Sequence, residues 1–285
     1  MTGPGPRTAQ QRAIDHVASR STGAPIDRTL RVTLNFHPDW ITRDGPILAV
    51  LAHDRVYRSQ FETGTSNGGL TAHEGGDRWR WEHRIFAGAY DQAAPDERPK
   101  YGALNSRDRS VGAAPRFGSA HFRLAGAVLE RTTFCFPDSV FDPADFGVAT
   151  RMPLIDLAHR CDHDLLDDYI EAQVHGVIDL ARDVEALVLD PCYRDSEVER
   201  LARSLPCPIE WHEGFRLSVT ELRRHPDYRG PEYVALGESL AVDGWLDPAI
   251  LGAAARAGTH AEQDLKRVWH YLARFGGPWA TDLDR

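Results

Sequence analysis

Tyr169-Ile170-Glu171-Ala172-Gln173-Val174-His175-Gly176-Val177-Ile178 is the stretch on which the fold turns. Its apolar and polar residues alternate, which is the pattern of a β-strand, and period-two geometry places Glu171, Gln173 and His175 on one face. Two readings stay open for that face: a row of carboxylate, amide and imidazole turned toward a ligand, or the solvated side of a half-exposed strand. Residues 184–190 read as a further strand stopped by Pro191, residues 196–204 as a helix, and Ile209-Glu210-Trp211 as a short strand. This strand, helix, strand rhythm predicts an α+β or α/β core.

Toward the N-terminus, residues 29–36 are rich in strand formers and end at His37-Pro38-Asp39, where proline halts a ladder. Residues 46–53 read as a helix with proline in its first turn, followed by a strand end at Val56-Tyr57. That strand end delivers Arg58, Gln60, Glu62 and Thr63 into a turn-rich loop running to Gly69. An arginine fork beside closely spaced glycines suits a phosphate or carboxylate, and an ordinary polar loop has the same composition. Residues 77–90 carry aromatics at helical spacing and read as a packed helix, while 117–124 and 128–136 resume strand character. Two helices are expected at 240–256 and 261–275. The expected organisation is a flexible lead-in at 1–28 with a short helix over 11–20, an α+β core at 29–215, and a mainly helical extension at 216–285 packed on it.

The chain has 285 residues, 42 % of them hydrophobic, enough for a substantial core. Its net charge of -9, from 42 acidic and 33 basic residues, gives no global attraction to nucleic acid. The four cysteines, Cys135, Cys161, Cys192 and Cys207, form no close pair, which fits a reducing compartment and buried structural thiols. With no apolar signal region and no membrane-length apolar run, the expectation is a cytoplasmic protein, with specialised export left open.

The segments 101–105 (YGALN), 115–122 (PRFGSAHF), 56–69 and 169–176 resemble a family of uncharacterised bacterial proteins. More distantly, the order Arg58, Ser119, Glu171 is similar to that of ADP-ribosyltransferases, which carry an arginine, a serine-centred segment and a glutamate on successive strands. This resemblance implies a split mixed or antiparallel sheet and NAD as co-substrate. It also implies a catalytic set of Arg58, Ser119 and Glu171, with His37, Gln60, Thr63, Tyr101, Asn105 and Gln173 completing the NAD pocket. In that class the glutamate usually stands second in a Glu-x-Glu or Gln-x-Glu motif. Here the order is Glu171-Ala172-Gln173, so Glu171, Glu62 or Glu185 is the candidate carboxylate. A histidine-type variant would use His37 with Tyr101. The acceptor of ADP-ribose is left open, a protein or small molecule fitting the acidic chain better than nucleic acid; with water as acceptor the enzyme would be an NAD glycohydrolase.

No dinucleotide glycine fingerprint, P-loop or serine-hydrolase elbow is present. Two rivals remain. One is a metal-dependent hydrolase built on His37, His53, His121 or His175, or on His159 and His163 if that segment is helical, although no metal ligand set is assigned. The other is a sensor that binds a nucleotide without turning it over, the reading Gln173 favours.

Overall fold

The structure is a computed structural model that describes residues 7–64 and 70–278. It is an α+β fold on a mixed eight-stranded sheet. The strands are β1 (Val32–Phe36), β2 (Lys100–Leu104), β3 (Ala120–Leu124), β4 (Thr132–Phe136), β5 (Asp145–Val148), β6 (Ile170–Val174), β7 (Val184–Leu189) and β8 (Ile209–Trp211). They lie in the order β8-β7-β3-β1-β2-β6-β4-β5. The chain divides into two compact units, each discontinuous in sequence: 1–34, 56–108 and 123–185 in the first, and 35–55, 109–122 and 186–285 in the second.

In the first unit the pairs β1–β2, β2–β6, β6–β4 and β4–β5 are antiparallel. Val32 pairs with Leu104, Tyr101 with Gln173, Phe134 with Ala172, and Cys135 with Phe146. Opposed residues share a face, so Tyr101, Thr133, Cys135, Glu171 and Gln173 all project to the same side. Helix Ala9–Arg20, capped by the Thr8 hydroxyl accepting from Gln11 N at 3.2 Å, supplies Ala13 and Val17 to the apolar cluster there. Helix Asp77–Ile85 adds Trp81 and Ile85. The glycine of YGALN follows from close packing, because a Cβ at Gly102 would stand 2.6 Å from the Thr33 carbonyl oxygen.

In the second unit β7 and β8 run parallel, with Val188 opposite Glu210. The second unit also holds helices Ile47–Asp54, Glu197–Ala202, Val219–Leu222, Pro231–Leu240, Pro248–Ala257 and Glu262–Phe275. Gly118 of the PRFGS segment sits at φ 151° against the Phe36 carbonyl, and any side chain there would overlap that backbone.

Several elements differ from their sequence expectation for identifiable reasons. The strand expected at 169–178 ends at Val174, because Gly176 turns at φ 77°; Ile178–Asp179 then pairs with Val56–Tyr57. The expected strand at 128–136 begins only at Thr132, after a 3-10 segment. The helix expected over 240–256 begins only at Pro248, since the preceding helix ends at Leu240, Asp243-Gly244 turns the chain through positive φ and Asp247 caps the new start. Helix Leu154–Arg160 stops before His163, so His159 and His163 do not share a helical face. Among the described residues no helix is long and apolar enough to cross a membrane, and the four cysteines are free.

Candidate functional site

The row Glu171, Gln173, His175 faces inward. Glu171 is 6 % exposed and the other two are fully buried, which removes the solvated-face reading. What covers the row is helix Asp77–Ile85, whose buried positions Arg78, Trp81, Glu82 and Ile85 fall at the spacing of one helical face. Two of those four are charged, so the helix brings an arginine and a glutamate into a region where unpaired charge is costly.

Each charge is met. Glu171 accepts from Ser139 Oγ at 2.7 Å, Ser139 N at 3.2 Å and Gln173 Nε2 at 3.1 Å, and Arg78 Nη1 stands 3.8 Å from its Oε1. Arg78 also donates to Ser139 Oγ at 2.7 Å and to Gln60 Oε1 at 3.2 Å, and its guanidinium lies 4.0 Å from the centre of the Tyr101 ring. The Tyr101 hydroxyl donates to Glu82 at 2.7 Å, and Glu82 is paired with Arg98 at 2.6 Å. Arg98 Nη2 in turn donates to the Tyr90 carbonyl at 2.9 Å.

A directed chain of hydrogen bonds leads from Tyr90 to the carboxylate. The Tyr90 hydroxyl lies 2.7 Å from His175 Nδ1, His175 Nε2 lies 3.0 Å from Thr133 Oγ1, and Thr133 Oγ1 donates to Gln173 Oε1 at 2.8 Å. Thr133 has one proton and spends it on an amide oxygen, so His175 donates through Nε2 and accepts through Nδ1. Gln173 converts an accepted proton on one side into a donated one on the other. A carboxylate at position 173 would face Glu171 with no proton to offer, which accounts physically for the amide where the resemblance expects an acid.

Burial pushes Glu171 above the usual carboxylate range, against the pull of Arg78 and the Ser139 donors. Burial also raises Glu82, opposed by the Tyr101 hydroxyl and Arg98. His175 is pushed down to about 3 by burial, then by the charges of Arg131 and Lys100, and is neutral. Cys135, 3.9 Å from Glu171, is driven up by burial and that carboxylate, so it is an inert thiol.

The structure therefore brings Glu171, Gln173, Tyr101 and Gln60 together. Arg58 is half-buried just after the short strand Val56–Tyr57, and the arginine paired with Glu171 is Arg78. The segment that follows Arg58 builds local structure. Ser59 and Glu62 form a capping box, with Ser59 N donating to Glu62 at 2.6 Å and Glu62 N to Ser59 Oγ at 3.2 Å, and Gly64 closes the turn at φ 65°. Thr63 Oγ1 donates back to the Ser59 carbonyl at 3.3 Å. Residues 65–69 of the expected anion loop lie outside the described residues. Asn105 ends β2 with its N–H on the Arg31 carbonyl at 2.8 Å.

His37 and Ser119 belong to the second unit. His37 meets Trp269 edge-on at 4.8 Å and is pushed down to about 4 by burial and by Lys266. Ser119 is fully buried, its carbonyl 2.7 Å from His212 Nε2. Among the described residues no group of three or more His, Cys, Asp or Glu side chains is arranged to hold a metal ion.

Sequence reasoning missed Arg78, Glu82, Arg98, Thr133 and Ser139. The charged residues at 78 and 82 inside an otherwise apolar helical face were a visible signal; Ser139, in a loop turn, had none.

The chain matches the family DUF3626, described as a protein of unknown function, over residues 31–155 and 148–275, and it belongs to that family. No curated protein matches the chain.

Proposed function

We propose that the chain is an ADP-ribosyltransferase in which Glu171 is the carboxylate that assists cleavage of the nicotinamide–ribose bond of NAD. The observation that carries this reading is the Glu171 setting: one carboxylate fixed by Ser139 and Gln173, paired with Arg78, next to the half-buried Tyr101. The distant resemblance to that class and its split sheet agrees with an α+β fold. NAD would supply the departing nicotinamide, which takes the electrons of the broken C–N bond. In its ionised form Glu171 would then face the positive charge that develops on the ribose carbon. Tyr101 and Gln60, both partly exposed and both in contact with Arg78, border the buried network on its accessible side. An acceptor nucleophile on a protein or small molecule attacks the ribose carbon and loses its proton.

One observation favours a second reading, binding of a nucleotide without turnover. Both Glu171 oxygens already accept hydrogen bonds within the protein, so a ligand must displace internal contacts to reach them.

The test is a titration of the full chain with NAD, with free nicotinamide measured in the same samples, for the wild type and Glu171→Gln. Turnover that falls by about a hundredfold or more in the variant, with its folded spectrum retained, supports the transferase reading. Binding without nicotinamide release selects the second. Absence of NAD binding overturns both.

A further inference from the structure

The hydrogen bonds that lead from Tyr90 to Glu171 all point the same way. The Tyr90 hydroxyl donates to His175 Nδ1 at 2.7 Å, His175 Nε2 to Thr133 Oγ1 at 3.0 Å, Thr133 Oγ1 to Gln173 Oε1 at 2.8 Å, and Gln173 Nε2 to Glu171 Oε1 at 3.1 Å. Gln173 Nε2 also meets Cys135 Sγ at 3.4 Å. Each of these residues is buried, so its partners must come from within the protein.

An amide and a neutral imidazole can each be turned round, which gives the same groups a second self-consistent arrangement. In it Gln173 Nε2 donates to Thr133 Oγ1, Thr133 donates to His175 Nε2, and the imidazole carries its one proton on Nδ1, donating to the Tyr90 hydroxyl. The Gln173 oxygen then faces Glu171 Oε1. Two oxygens in contact need a proton between them, so the reversed arrangement requires one added proton, on Glu171. Reversal also strands the proton of the Tyr90 hydroxyl, whose partner among the described residues is His175. The forward direction therefore belongs to ionised Glu171. Thr133 is the link on which direction turns, because its single proton goes either to Gln173 or to His175. His175 stays neutral throughout, pushed down to about 3 by burial, then by Arg131 and Lys100, so its tautomer is what can change.

We propose that Thr133 is a positioning residue for Glu171: its hydroxyl fixes the direction of the Gln173 amide, and through it the His175 tautomer and the charge of Glu171 change together. In turnover this rests on the transferase reading, where the ionised carboxylate is the active form; the coupling itself is a property of the folded chain. The other groups facing Glu171 are Arg78 from helix Asp77–Ile85, Asp138 and Ser139 from the turn after β4, Cys135 from β4, and Tyr101 from β2 with Glu82 on its hydroxyl. Burial and Asp138 raise the carboxyl, and Arg78 and Ser139 oppose them. None of these groups is hydrogen-bonded to the Thr133 side chain, so a substitution at 133 reads the chain itself.

The experiment is a titration of the full chain between about pH 4 and about pH 8, followed by two spectra. Infrared difference bands of carboxyl-labelled glutamate report Glu171, assigned by the band lost in Glu171→Gln, and nitrogen NMR of ring-labelled histidine reports the His175 tautomer, assigned by the signal lost in His175→Gln. In the wild type the expected result is one shared midpoint, at which Glu171 gains its proton and the His175 proton passes from Nε2 to Nδ1 as pH falls. Thr133→Val should raise the Glu171 midpoint by about one unit or more and uncouple the tautomer, and Thr133→Ser, which keeps the hydroxyl, should restore both. With NAD, the acid limb of kcat for nicotinamide release should move up by the same amount in Thr133→Val, with the alkaline plateau and KM retained. A wild type that turns over no NAD removes the transferase reading and leaves the spectra to decide this one. A His175 tautomer that stays constant through the Glu171 midpoint, or a folded Thr133→Val in which that midpoint is unmoved, overturns the proposal. If Thr133→Val does not fold, the wild-type tautomer decides.

Discussion

In the first unit the buried groups around Glu171 partner one another, leaving the Trp79 and Trp81 indole N–H groups beside them unpartnered, whereas in the second unit His270 is buried with neither ring nitrogen partnered. In the first, Glu82, Arg98, Tyr101, Arg78, Ser139, Glu171, Gln173, Thr133, His175 and Tyr90 are joined through hydrogen bonds, ion pairs and one ring contact. Such a network specifies one geometry, because breaking any link strands a group that water cannot reach. An imidazole with two unpartnered nitrogens specifies nothing internally and costs stability. Burial of polarity therefore specifies geometry around Glu171 and costs stability at His270.

Acid should break the comparison with the largest effect. Burial pushes His37 down to about 4, His175 to about 3 and His270 to about 2, and lowers His212 as well. A histidine lowered in the fold stays neutral while the unfolded chain takes up its proton below about 6.5, so stability falls as pH drops. Each contributes about 1.4 kcal/mol per pH unit below that point until its folded value is reached. Glu82 and Glu171, raised in the fold, act in the opposite sense, since the folded state holds their protons longer. Denaturant melts between about pH 7 and about pH 4 should show net proton uptake on unfolding, smaller by about one proton in His270→Leu.

Next in size is Arg98→Met, which leaves the Glu82 carboxylate buried without its partner; urea unfolding should show a loss of about 3–5 kcal/mol. Tyr90→Phe strands only His175 Nδ1 and should cost about 1–3 kcal/mol by the same measurement. At the small end, Arg200→Ala removes an exposed pair with Glu197 and should change stability by less than about 1 kcal/mol.

Much of the frame was legible in the sequence. The 209–211 strand and the 261–275 helix follow from β-branched content and amphipathic period, and both stand close to where these patterns place them. The alternation at 171, 173 and 175 named the inward row but not its direction, because a strand pattern assigns residues to a face and leaves open which face is covered. Arg58 seemed the anion-binding arginine from its loop, while Arg78 occupies the place beside Glu171 because a helix lays it there from elsewhere in the chain. Ser59, Glu62 and Gly64 fit a ligand loop and a helix cap equally well by composition, and the structure uses them as the cap. The pairing of Ser139 and Thr133 with Glu171 and Gln173 depends on tertiary register, which no local pattern records.

The most direct test of the contrast is urea unfolding of Thr133→Val and His270→Leu, side by side with the wild type. The account predicts opposite signs. Thr133→Val should lose about 1–3 kcal/mol, because Gln173 Oε1 is left without its donor, whereas His270→Leu should be neutral or stabilising, because it removes two unpartnered atoms. A loss in His270→Leu as large as that in Thr133→Val would mean that the imidazole is internally satisfied, and would contradict the account.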